Sequence, residues 1–203
     1  MKIPLFPLNV VLFPEGELKL RIFEPRYIDM VRDCFRNDTG FGICLIQEDR
    51  GIDKSCDFFS MGTYAKIIDW SQMEDGLLGI VVRGEKRFKV NSHKRSEDNL
   101  CIGNVEWLND DNNNPMPATY QNFSDLLREI VTRHKLPMEN MLGRFDEANW
   151  VSERLAELLP FDLSIKQEIL EMNSALHRFD YMQDLLKKID SDKIMQSGVN
   201  KFC

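Results

Sequence analysis

Very little in this chain of 203 residues is equipped for catalysis. Its five cysteines, Cys34, Cys44, Cys56, Cys101 and Cys203, are odd in number and contain no Cys-x-x-Cys. That argues against a disulfide scaffold or a zinc ribbon and for a reducing compartment, so the expected location is cytoplasmic. Its three histidines, His93, His134 and His177, fall in different segments without metal-ligand spacing, and no metal is expected. No Gly-x-x-x-x-Gly-Lys-[Ser/Thr] occurs, so there is no phosphate cradle for ATP and no cofactor is expected. No apolar run approaches the roughly 20 residues of a membrane-spanning helix, and no membrane partner is expected. The start, Met1-Lys2-Ile3, sets a basic residue before apolar ones, but Pro4, Pro7 and Pro14 break the run and no small-residue cleavage site follows. A net charge of -7 disfavours a nucleic-acid binder that works by neutralising phosphates.

What is present reads as an ordinary folded chain, 43% hydrophobic and 29% charged. Leu18, Leu20 and Ile22 alternate with Glu17, Lys19 and Arg21, the period of a half-buried strand. Pro4 and Pro7 cannot donate to a sheet, so the first apolar run is expected to form at best a short edge strand. Pro25 suits the first turn of a helix whose inner face is Tyr27, Met30, Val31, Cys34 and Phe35, ended by 37–40. Apolar runs at 42–47, 62–69, 76–83, 87–91 and 100–108 predict strands, with Gly84-Glu85 read as a break between two of them. The segment 109–117 is rich in turn formers and carries two prolines, the clearest change of composition in the chain. Beyond it the period becomes helical, through Phe123, Leu127, Ile130 and Val131, then Val151, Leu155, Leu158 and Leu159 up to Pro160. Ser164 and Gln167 are spaced as a capping box, Ile165, Ile169 and Met172 follow, and Ala175, Phe179, Met182, Leu186 and Ile189 mark a last helix. Residues 138–145 are ambiguous, with a short helix as one reading.

The fold expected is therefore α+β: a β-rich unit at 1–108 holding one early inserted helix that plugs its open end, a linker at 109–117, and a helical bundle at 118–190. Residues 191–203 read as a loosely ordered tail.

Read in order, several short segments are similar to one known family. They are Pro4-Leu5-Phe6-Pro7-Leu8, Leu12-Phe13-Pro14, Leu20-Arg21-Ile22-Phe23-Glu24-Pro25-Arg26-Tyr27, Gly62-Thr63-Tyr64-Ala65-Lys66-Ile67, Gly84-Glu85-Lys86-Arg87-Phe88 and, in the helical half, Arg154-Leu155-Ala156-Glu157-Leu158-Leu159-Pro160. Together they resemble the Lon protease N-terminal, substrate-binding domain. The resemblance implies a PUA-like β pseudo-barrel followed by helices, and a module that engages protein substrates rather than one that hydrolyses them. It points to a stand-alone member without the ATPase and the serine–lysine peptidase. The implied partner is a polypeptide or a partner protein; the oligomeric state is not implied.

Two sets of candidate contacts follow. Phe6, Phe13, Phe23, Tyr27, Phe58 and Phe59 crowd the opening stretch; most belong in a core, and any left exposed would form an apolar patch fit for extended polypeptide, with the groove between barrel and helices as the expected place. Arg83, Lys86, Arg87 and Lys89, continuing to His93, Lys94 and Arg95, could contact an anion or a nucleic acid, though alternation with Phe88 and Val90 favours a solvated strand face, with Glu74 and Asp75 able to neutralise it. Ser164 and Lys166 are not taken as a catalytic dyad, because the capping box accounts for the serine.

Overall fold

The computed structural model of the chain describes residues 1–47, 57–109, 114–134 and 144–199, with side chains through 188. The ambiguous stretch at 138–145 lies almost wholly outside them. Among the described residues six strands and five α-helices are formed: β1 (Lys2–Leu8), β2 (Glu17–Ile22), α1 (Pro25–Asn37), β3 (Phe41–Ile46), β4 (Phe58–Gln72), β5 (Leu78–Arg95), β6 (Cys101–Trp107), α2 (Gln121–Arg133), α3 (Ala148–Leu158), α4 (Leu163–Glu171) and α5 (Ala175–Val199). The α+β expectation is met. The chain divides into two compact units, 1–110 with 160–171, and 111–159 with 172–203.

In the first unit the sheet runs β2-β5-β4-β3-β1-β6, and β6 returns to pair with β5. β5 makes this possible by its length. Its first half, Leu78 to Arg83, pairs with β2, and its second half, Phe88 to Arg95, pairs with β6. The sheet thus curls into a pseudo-barrel that is joined along one half and open along the other. Two expectations are corrected here. Gly84-Glu85 does not interrupt the strand: a Cβ at Gly84 would stand 2.4 Å from the Phe13 carbonyl oxygen, so the glycine admits the 12–16 loop against the strand, where Glu15 N–H donates to Gly84 O at 2.8 Å. β1 is an interior strand, parallel to β3 and antiparallel to β6, not an edge. Its prolines are tolerated because each lies where β1 has only one partner: Pro4 faces β6 before the β3 pairing begins at Leu5, and Pro7 faces β3 after the β6 pairing has ended.

α1 starts as its sequence dictates, with Pro25 at the first turn and the Glu24 carbonyl accepting from Tyr27 and Ile28. It ends where Asp38 turns left-handed at φ 49°. Tyr27, Met30, Val31 and Cys34 are buried in a core with Phe6, Ile22, Phe41, Ile43, Ile80 and Val82. Phe35, expected on that face, is 47% exposed; it lies at the rim of the stripe, one residue beyond Cys34. A second core gathers Leu5, Phe58, Tyr64, Phe88 and Val105 around the far half of the sheet.

α4 belongs with this unit rather than with the other helices. Its first helical bond runs from Lys166 N–H to Asp162 O, which places Asp162 ahead of the helix and Ser164 inside it. The capping box is therefore not formed. Gln167 instead donates to Met61 O on β4 at 3.1 Å and to Glu171 Oε1 at 2.9 Å.

In the second unit α3 is buried nearly all round, Ser152, Glu153 and Arg154 included. Phe179 of α5 stacks with Phe123 of α2 at 5.0 Å and with Tyr120 at 5.2 Å. α5 continues as helix through Val199, over most of the expected tail; extending a nucleated helix adds a hydrogen bond for each residue fixed, and no proline stops it. Among the described residues no helix is long and apolar enough to cross a membrane.

Candidate functional site

The joined half of the pseudo-barrel ends at Leu5, the last β1 residue that pairs with β6. From Phe6 to Leu8, β1 has β3 on one side and, among the described residues, no strand on the other. β2 likewise pairs only with β5. Between these two half-paired strand segments lies a cleft of about 260 Å³, wholly within the first unit. Phe6, Pro7 and Leu8 line it from β1, Leu20, Arg21 and Ile22 from β2, Phe23, Glu24, Arg26 and Tyr27 from the turn into α1, and Ile46 from the end of β3.

Its floor is apolar and aromatic. Phe6 stacks on Tyr27 at 3.9 Å between ring centroids, and Phe6 also meets Phe41 at 5.9 Å. Phe23 stands at the mouth and is 66% exposed, which is unusual for a phenylalanine and leaves a large apolar ring facing solvent. The charged groups of the rim are matched internally: Arg21 pairs with Asp75, and Arg26 pairs with Glu24 at 2.6 Å while lying 4.8 Å over the Tyr27 ring. A cleft of this kind offers apolar contact and strand-edge hydrogen bonds and little net charge.

Of the six aromatic candidates, Phe6, Phe23 and Tyr27 are brought together here. Phe13 is fully buried and unavailable to a ligand, because its loop is clamped against β5 through Gly84. Phe58 is 9% exposed and packs in the second core, with its ring 4.9 Å from that of His93. Phe59 follows it on β4, half-buried and outside the cleft lining.

The basic candidates do not form one surface. Arg87 is fully buried and donates to Leu170 O at 2.6 Å, the C-terminal end of α4, so it serves packing and not an external anion. Arg83 pairs with Glu17 at 2.5 Å across the β2–β5 register. Lys86 lies 5.8 Å over the Trp107 ring, and Lys89 is exposed opposite Glu106. Asp75 pairs with Arg21 instead of this run. Trp70, 62% exposed on β4, was missed by sequence reasoning; a tryptophan between Asp69 and Ser71 was its only signal.

Cys34, Cys44 and Cys101 are buried and form no disulfide. Burial pushes the Cys44 thiol well above its ordinary range, with the nearby Cys101 adding to the effect. Burial also raises Cys34, opposed in part by a hydrogen bond with Thr39. Both therefore stay protonated and inert around neutrality. A disulfide reagent at pH 8 should leave Cys34, Cys44 and Cys101 unlabelled in the native protein and label them once it is denatured, as peptide mapping would show. Among the described residues no cluster of His, Cys, Asp and Glu could hold a metal ion.

Comparison with known proteins bears on the whole chain. The sequence pattern of the ATP-dependent protease La (LON) substrate-binding domain matches residues 2–188. The chain is 24% identical to Lon protease of Cytophaga hutchinsonii over 92% of its length, and 26% identical to Lon protease 1 of Bdellovibrio bacteriovorus over 96%. It spans about a quarter of the length of these relatives, 24% and 27%. Among solved structures, a Lon N-terminal domain protein from Xanthomonas campestris is 30% identical and superposes with a TM-score of 0.76, covering 91% of this chain and 98% of that one. The N-terminal domain of Lon protease from the Mycobacterium avium complex shares the fold at 16% identity and a TM-score of 0.66.

Proposed function

We propose a polypeptide-recognition role for this protein, because the chain belongs to the LON substrate-binding domain family and its first unit carries an apolar cleft between two half-paired strand segments. The observation that carries this reading is the combination at the cleft itself. Leu20 to Ile22 and Phe6 to Leu8 offer backbone edges, while the floor of Phe6 and Tyr27 offers a socket for one apolar side chain. An extended segment adds to such an edge through main-chain hydrogen bonds, and a pocket at the edge sorts its side chains. The internally paired charges at the rim favour an uncharged, apolar segment of the kind exposed by an unfolded chain. Recognition without catalysis is the role assigned. The cleft's chemistry supports a partner segment that is extended, apolar or aromatic, and not highly charged.

A fluorescently labelled, permanently unfolded polypeptide provides the test, read by anisotropy. Binding is expected in the micromolar range. Phe23→Ala should weaken it about tenfold, the loss of one exposed aromatic anchor, and should leave the melting temperature nearly unchanged because the ring is mostly exposed. Phe59→Ala should leave affinity as it was. Absence of binding at high micromolar concentration, or equal loss from both substitutions, would remove the support for this reading.

A further inference from the structure

A second depression, separate from the cleft, lies on the outer face shared by β1, β5 and β6. It has a volume of about 220 Å³ and is lined by Lys2, Ser92, His93, Lys94, Ile102 and Asn104. No carboxylate lines it, and neither Lys2 nor Lys94 has an ion-pair partner among the described residues.

The register explains how it is assembled. Lys2 stands opposite Asn104, and Asn104 stands opposite Ser92, a row across three strands; Ile102, two residues before Asn104 on β6, stands opposite Lys94. Neighbouring strands are about 4.8 Å apart, so the bases of Lys2 and Lys94 lie diagonally within reach of a common point for two long side chains. This arrangement depends on an irregularity. The β5–β6 pairing shifts between Val90 and Ser92, so Asn91 is an extra residue. Val90 points into the core opposite Val105; without the shift, strict alternation would turn Ser92 and Lys94 inward too. The bulge turns them outward, onto the face of Asn104 and Lys2.

We propose that this depression binds a phosphate-class oxyanion, either free phosphate or a phosphomonoester. The ammonium groups of Lys2 and Lys94 supply charge, the Ser92 hydroxyl and the Asn104 amide supply directed donors, and Ile102 forms a dry floor. The site is independent of polypeptide recognition in the cleft.

The test is a titration of isotope-labelled protein with inorganic phosphate, and separately with phenyl phosphate, at ionic strength held constant with chloride. Saturable amide shifts confined to the neighbourhood of Lys2, 91–95 and 102–104 are expected, with a millimolar dissociation constant. Lys94→Gln should weaken binding about tenfold, the loss of one charge-assisted contact, while Lys89→Gln, on the same strand but opposite Glu106, should leave it unchanged. Tighter saturation by phenyl phosphate than by phosphate identifies an ester as the ligand, and the reverse identifies the free ion; both support the site. Linear, non-saturating shifts, an equal response to chloride alone, or retention of full affinity by the Lys2→Gln/Lys94→Gln double variant would overturn it. So would much tighter, steeply salt-dependent binding of a single-stranded oligonucleotide, which would mark a phosphodiester surface instead.

Discussion

Glu153→Ala should lower the unfolding free energy of the second unit by about 3–5 kcal/mol, the usual result of stranding a buried charge. Glu153 of α3 accepts from Arg178 of α5 at 2.7 Å, with side chains only 8% and 1% exposed. Arg178 also donates to Asn149 Oδ1 at 2.9 Å. Removing the carboxylate leaves the guanidinium buried with a single neutral acceptor of those two. The double substitution Glu153→Met/Arg178→Met should recover most of the deficit, because a buried pair exchanged for apolar side chains of similar volume is often close to neutral. Urea denaturation of the two single variants and the double variant gives the coupling directly. A single-variant loss below about 1 kcal/mol would mean that solvent reaches the pair.

Arg87→Ala should destabilise the first unit by about 2–4 kcal/mol, combining the loss of a charge-assisted hydrogen bond with the cavity left by a large buried side chain. Arg87 is the point at which the sheet holds the end of α4: its Nη1 donates to Leu170 O at 2.6 Å, while Gln167 of the same helix donates to Met61 O. Arg87→Lys should recover only part of the loss, since an ammonium cannot reproduce the planar fork of donors. Hydrogen exchange should show the amides of α4 losing protection before those of β4 and β5. An exposed arginine used for anion contact would behave in the opposite way, with stability changed by less than about 0.5 kcal/mol.

Local patterns were legible in the sequence, and long-range pairing was not. The alternation of Leu18, Leu20 and Ile22, the helix start at Pro25 and the helical periods after residue 120 are local patterns, and each formed the element it predicts. Pairing is not local. Nothing in Pro4 or Pro7 reveals that β1 will be flanked by β3 on one half and β6 on the other, which is what makes an interior strand with two prolines possible. Gly84 was legible as a glycine but not as the point of contact with the Phe13 carbonyl. Arg87 lies in a run of basic residues that reads as a solvated face, and only the return of α4 to the sheet converts one member into a buried anchor.

The cleft was half legible for the same reason. Phe6, Phe23 and Tyr27 are close in sequence and converge, whereas Phe13 and Phe58 are drawn into cores by neighbours far along the chain. The half-paired edges of β1 and β2 are a property of registry alone. They carry the recognition reading further than any single residue does. Of the depression, His93 and Lys94 were legible as members of the basic run, but their meeting with Lys2 was not, since it joins the two ends of the β unit through a one-residue bulge.

Amide chemical-shift mapping of the whole chain, titrated with an apolar, unfolded peptide, tests the central reading most directly. Saturable shifts concentrated at 6–8 and 20–27 are expected, with intermolecular contacts from the peptide backbone to the edge of β2 and from an apolar side chain to the rings of Phe6 and Tyr27. Saturable binding that leaves those residues unperturbed and maps elsewhere would contradict it.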